Sequence, residues 1–243
     1  YSFTDPYLLR KYGQYVYDGC HKIESGIKID KDDYINYQLD KKPIPPKNVC
    51  KLMATTQEDY RREVIDDDIY FPELKLVDFL KEKYDMDIPI YCFFDNVIKS
   101  IISAYNVIIY RHYIDSIVLV DGGTDSLMTG CEGGDALGTP YEDVCNIIAV
   151  KNSNCNNNYL YTLGYNIDSY CGVTDANFLQ NTSNLIHQNY FIGSYMLNKN
   201  NLSTQRYIET FMNCDPVNSI VNSLIVAAIE GRSRYCLLYT SDA

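Results

Sequence analysis

The sequence predicts an α/β protein built on a mostly parallel sheet with helices on both faces. Three observations predict it. From Pro72 onward, apolar residues recur at helical spacing in several segments, and short β-prone runs separate those segments. One run, Ser116–Val120, is continuously apolar, as strands covered on both faces of a parallel sheet are. At 243 residues the chain is long enough for one large domain or two small ones, and we read 1–233 as a single α/β domain.

Residues 1–70 are the least regular and read as short extended pieces and loops. They hold the turn cluster Tyr17-Asp-Gly and the stretch Lys42-Pro-Ile-Pro-Pro-Lys47, which suits neither helix nor central strand. Pro72–Lys83 then places apolar residues at 74, 76, 77, 79 and 80, a helical stripe with Pro in its first turn. Ile88–Phe94 reads as a strand, 97–111 as a helix apolar on most faces, and Ser116–Val120 as a buried strand. The next helix opens on a capping box, with Thr139 at the cap, Pro140 at the first position and Glu142 at the third. A strand at 159–165 and a helix at 176–187 opened by Asp175 follow. Then come an extended piece near 190–196, a helix at 204–213 capped by Ser203, and a helix at about 216–230.

Composition narrows the function classes. Hydrophobic residues make up 46%, which excludes a disordered chain, and no apolar run reaches the ~20 residues that cross a bilayer. The formal charge is −11, and the lysines gathered at 41–51 sit among prolines in a solvated loop. A nucleic-acid backbone is therefore not the expected partner; a small molecule is. Nine cysteines without a CxxC pair, in a chain without a secretion signal, fit a reducing, cytoplasmic compartment, where thiols such as Cys92 and Cys145 act as small hydrophobes. The chain opens at Tyr1 inside a segment, and its end, Cys236–Ala243, resembles a translated sequencing adaptor. We read the chain as a fragment and set 234–243 aside from fold reasoning.

The chemistry concentrates where strands end. In an open parallel sheet, ligands bind beyond the carboxyl ends of the strands. Here the three strands lead into Asp95, into Asp121-Gly-Gly-Thr-Asp-Ser126, and into Asp168. The window 121–143 holds six of the thirteen glycines and six carboxylates, with no Lys or Arg. Crowded acids without counter-charge must be solvated, partly protonated or bound to a cation, and glycines allow positive φ and close approach to a ligand. Two readings fit. Asp121, Asp125 and Glu132 hold a hard cation, Mg²⁺ or Mn²⁺; or Gly122, Gly123 and the amides of Thr124–Ser126 cradle an anionic group while Glu132, Asp143, Asp168 and Asp95 bind ligand hydroxyls. Asp121 and Asp125 are the candidate catalytic groups in either case. The loop is neither a P-loop nor GxGxxG, and no GxSxG serine motif is present.

Structural readings stand beside these. Asp95 and Asp175 can cap helices, Glu142 belongs to the capping box, and Asp135 beside Gly134 suits a turn. His21, His112 and His187 lack spaced partners and read as structural. Ser126 has no base in sequence to activate it, and neither do Cys131 and Cys171.

The block Ser116–Met128 (SIVLVDGGTDSLM), Glu132 and Leu137-Gly-Thr-Pro-Tyr-Glu-Asp143 resembles the family called domain of unknown function 1152. Further matches are Phe71-Pro-Glu73, Leu163-Gly-Tyr-Asn-Ile-Asp168, Phe178-Leu-Gln-Asn181, Phe191-Ile-Gly193, Ser219-Ile-Val-Asn222 and Ala227-Ala-Ile-Glu-Gly231, so the likeness covers about residues 70–231. It implies a Rossmann-like fold and assigns no reaction. It also implies an N-terminal strand and glycine-rich loop upstream of Tyr1. The expected function is an enzyme acting on a small polar ligand, phosphorylated or nucleoside-like. The alternatives are a non-catalytic nucleotide- or metabolite-binding module, and an acidic surface that docks a basic protein.

Overall fold

The computed structural model describes residues 5–17, 19–41, 69–93, 97–130, 132, 140–214 and 219–232. Its contacts fall into two compact units: one takes in Gln14–Lys22 and Tyr91 onward, the other Ser2–Gly13 and Ile23–Ile90.

Among the described residues of the second unit, helices stand where loops were expected. Helix α1 (Pro6–Tyr12) starts on Asp5, whose carboxylate accepts the Tyr7 N–H at 3.0 Å, with Pro6 at the first position. Helix α2 (Lys31–Lys41) lies against it through Tyr7 stacked on Tyr37, ring centroids 4.0 Å apart, and through Lys41 paired with Asp5 at 3.0 Å. Few aliphatic residues line α2, which is why helical spacing did not reveal it; its tyrosines do the packing. Helix α3 (Pro72–Tyr84) was expected, and Leu74 and Val77 of its stripe are buried together with Phe71. The proline stretch 42–47 lies outside the described residues.

In the first unit, strands β1 (Gln14–Tyr17) and β2 (Cys20–Ile23) form an antiparallel hairpin, with Gly19 at φ +72° in the turn. Strand β3 (Ile90–Phe93) joins this sheet in the order β1-β2-β3. Helix α4 (Ile98–His112) packs on two sides, which explains its apolar circumference. Ala104 and Ile108 meet Cys20, Val16 and Tyr91, while Ile101 meets Cys145 and Ala149 of helix α5 (Pro140–Lys151). The Tyr105 hydroxyl donates to Asn146 at 3.0 Å and ties the two helices.

Strand β4 (Ser116–Asp121) pairs in parallel with β5 (Asn157–Thr162), from Ser116 beside Asn157 to Asp121 beside Thr162, and α5 is the crossover between them. The expected parallel ladder is therefore present but short: among the described residues it has two strands, because β3 pairs with the hairpin instead. Burial of β4 also departs from expectation. Its residues alternate rather than being covered on both faces, with Val118 and Val120 53% and 64% exposed, since α5 packs on one side. Tyr159 and Tyr161, their register partners, share that open face.

Helices α6 (Asp175–His187), α7 (Leu202–Cys214) and α8 (Ile220–Ile229) complete the unit. The caps of α6 and α7 differ from expectation by one or two residues. Thr174, not Asp175, accepts the Asn177 N–H at 3.2 Å, and Asn201 accepts the Ser203 N–H at 2.9 Å. The segment 190–197 is exposed and forms neither helix nor strand. Cys20, Cys92, Cys145, Cys155 and Cys214 are buried, and burial pushes the Cys20 thiol up to about 11. Among the described residues, no helix is long and apolar enough to cross a membrane.

Candidate functional site

The β4 ladder delivers Asp121 as its last residue, 7% exposed, and the next ladder bond runs from the Leu163 N–H to the Asp121 carbonyl at 2.9 Å. The chain then turns through Gly122 and Gly123 into a single 3₁₀ turn, Asp125–Leu127, closed by the Met128 N–H on the Asp125 carbonyl at 3.0 Å. The Ser126 N–H donates to Asp121 Oδ2 at 3.3 Å, so strand end and turn hold each other.

Two further elements clamp this turn. After β5, a 3₁₀ segment (Ile167–Cys171) presents Asp168, whose Oδ2 accepts both the Thr124 N–H at 2.5 Å and the Thr124 hydroxyl at 3.2 Å. From α6, the Asn181 amide donates to the Leu127 carbonyl at 3.1 Å and to Glu132 Oε1 at 2.8 Å. Asn181 is not among the site residues that the sequence predicts, although it closes the segment Phe178–Asn181; a helical Asn carries no spacing signal of its own.

The third acid comes from α5. Asp143, Asn146 and Val150 follow at helical spacing on the inward side, whereas Glu142 is exposed. Asp121, Asp125 and Asp143 each offer a carboxylate oxygen, and these oxygens lie within 4.8 Å of one another. Two unit charges that far apart repel by about 3 kcal/mol at an effective dielectric of ~20. Oxygens around Mg²⁺ in octahedral geometry, each about 2.1 Å from the metal, lie about 3–4 Å apart. The three side chains need close by only about 1 Å to grip an ion of that kind. A cation would turn their mutual repulsion into attraction.

Glu132 does not join that group among the described residues. Its Oε1 accepts from the Thr129 N–H at 2.7 Å and the Thr129 hydroxyl at 2.8 Å as well as from Asn181, and its Oε2 accepts from the Gly130 N–H at 2.8 Å. The carboxylate is engaged as a turn clamp, with Gly130 at φ +82°, which is why Asp143 and not Glu132 meets the other two acids. The bond from the Thr129 amide, with help from Asn181, lowers its pKa from 4.5 to about 2. A depressed carboxylate pKa adds stability that is complete above the unfolded value and lost as pH falls through the folded value. The turn is therefore expected to loosen between about pH 4.5 and about pH 2. The side chain is partly exposed, so screening limits the effect to about 1 kcal/mol. Amide exchange at Thr129 and Gly130 checks this: Glu132→Gln should abolish the pH dependence, and an unchanged profile would refute it.

The paired glycines differ in role. Neither has positive φ. A Cβ on Gly123 would lie 2.5 Å from Asp168 Oδ2, so this position has no room for one; on Gly122 the nearest atom would be Val221 Cγ1 at 3.5 Å, an ordinary contact. Gly123 is thus small to admit the Asp168 clamp, not to free the backbone. Asp95, Asp135 and Cys131 lie outside the described residues. The histidines keep their structural reading: His112 meets the Tyr91 hydroxyl at 2.5 Å, His21 lies edge-on to Tyr15, and His187 ends α6. A concavity of about 470 Å³ on α4, lined by Asn106, Val107, Tyr110 and Arg111, holds none of the candidate acids.

Set against family models, curated proteins and solved structures, the chain finds no match in any of the three. The site must be read from its own chemistry. That chemistry is oxygen-rich, with buried carboxylates on a strand end and a one-turn helix, a third acid on a crossover helix, and a loop bolted from behind by Asp168 and Asn181.

Proposed function

We propose that the chain is an enzyme that holds a divalent cation, Mg²⁺ or Mn²⁺, on Asp121, Asp125 and Asp143, and through it a small polar ligand of phosphorylated or nucleoside-like chemistry. The observation that carries this reading is the convergence of three carboxylate oxygens within 4.8 Å, two of them from buried residues. Hard cations favour such all-oxygen sites and keep open positions for a substrate phosphate. The place in the fold agrees, since the acids stand at the carboxyl end of a parallel strand. We take β4-α5-β5 as one unit of a Rossmann-like sheet, as the likeness to domain of unknown function 1152 implies. An acidic surface for docking a protein is disfavoured, because Asp121 and Asp125 are buried.

Calorimetric titration with Mn²⁺ and Mg²⁺ tests the reading. Wild-type protein should bind one cation, Asp121→Asn and Asp143→Asn should each weaken it by roughly 100-fold, and Glu132→Gln should change it little. Binding that survives both aspartate substitutions would overturn the proposal. Product analysis with nucleotides and sugar phosphates, with and without cation, then separates an enzyme from a binding module.

A further inference from the structure

We propose that the Ser126 hydroxyl is a direct ligand of this cation, giving a site of three carboxylates and one alcohol; the inference rests on the cation reading of the preceding section. Ser126 is 9% exposed, and its Oγ has no hydrogen-bond partner among the described residues. Buried hydroxyls are seldom left so, because desolvation is then uncompensated. The neighbouring hydroxyl shows the contrast: Thr124, also buried, spends its Oγ1 on Asp168. One hydroxyl of this loop is used to build it, and the other is spare.

Its position suits a ligand. Ser126 sits between Asp125 and Leu127 in the 3₁₀ turn, and its amide nitrogen is 3.3 Å from Asp121 Oδ2. A serine Oγ lies within about 4 Å of its own nitrogen, so the hydroxyl is within about 7 Å of that carboxylate oxygen. Rotation about χ1 alone swings it between staggered positions. The backbone that carries it is held by Asn181 at the Leu127 carbonyl and by Asp168 at Thr124, so the hydroxyl is presented on a fixed support. A neutral hard oxygen adds a donor without adding to the repulsion among the acids. Serine hydroxyls serve Mg²⁺ in this manner in P-loop proteins, on an unrelated motif.

The test uses Mn²⁺ and Cd²⁺ titrations of the full chain with Ser126→Ala and Ser126→Cys. Without cation, Ser126→Ala should melt at or above the wild-type temperature, since it removes an orphaned polar group. It should bind Mn²⁺ about tenfold more weakly. Cysteine is nearly isosteric and offers a soft donor, so Ser126→Cys should raise the Cd²⁺-over-Mn²⁺ preference at least tenfold above wild type. It should also add an ultraviolet thiolate-to-cadmium band over the background of the native cysteines. If wild type binds Mn²⁺ in an Asp121-dependent way and Ser126→Cys shows neither the changed preference nor the band, Ser126 is not a ligand. If wild type shows no Asp121-dependent cation at all, the cation reading itself fails and takes this inference with it.

Discussion

Gly123→Ala is expected to destabilise the protein by about 3 kcal/mol, while Gly122→Ala stays within about 1 kcal/mol of wild type. The added methyl would sit 2.5 Å from Asp168 Oδ2, 3.0 Å from Oδ1 and 3.1 Å from Cγ, so the whole carboxyl group must leave. That carboxylate is not a free side-chain end, being held by the Thr124 amide and hydroxyl. Each bond to a charged acceptor is worth ~1.5–3 kcal/mol, and displacement would leave the amide of the buried Thr124 without its acceptor. A gain of ~0.4–1 kcal/mol from the stiffer unfolded chain offsets a little. At Gly122 the nearest neighbour is at ordinary distance and φ is not positive, so that small gain is nearly all that remains. Urea denaturation of Gly123→Ala, Asp168→Ala and the double variant checks the mechanism. In the Asp168→Ala background the glycine substitution should cost almost nothing. Additive losses would mean that the two residues do not clash. Cation affinity should fall with Gly123→Ala as well, because the displaced loop carries Asp125.

Ile101→Ala should cost about 3–4 kcal/mol. The side chain is 1% exposed and packs with Cys145 and Ala149, where α4 meets α5. Removing it leaves a cavity bounded by helix surfaces that Tyr105 and Asn146 tie together, which hinders collapse into the space. The same interface sets the position of α5, and with it Asp143 in the first turn of that helix. Ile101→Ala is therefore expected to weaken Mn²⁺ binding severalfold although no ligand has changed. A loss of stability below about 1 kcal/mol in thermal or chemical melts would show that α4 and α5 do not depend on this contact.

Much of the molecule was legible in residue order. Pro72 with its apolar stripe, the all-round apolar segment 97–111, and the continuous apolar run leading to Asp121 marked α3, α4 and β4 to within a residue or two. The loop Asp121–Ser126 was legible as a site because acids and glycines had accumulated without counter-charge. Helix α2 was not, since tyrosines rather than aliphatics form its packing face. The choice of third acid was not legible either. Glu132 and Asp143 both stand in the acidic window, and residue order alone does not say that Asn181, about fifty positions from Glu132, would take up the glutamate.

What the sequence by itself determined is local: where helices begin, which runs extend, and which loop gathers carboxylates. Caps, periodicity and charge act over a few residues, and their signals survive in any tertiary setting. Only the tertiary structure decided partners. It sent β3 to the hairpin rather than to β4, left one face of β4 and β5 exposed, and turned Glu132 into a clamp while bringing Asp143 to Asp121 and Asp125. A short apolar strand can pair with several neighbours, and a carboxylate can accept from any donor within reach. Their choice depends on free energies summed over contacts between distant residues, and no single stretch of sequence contains that sum.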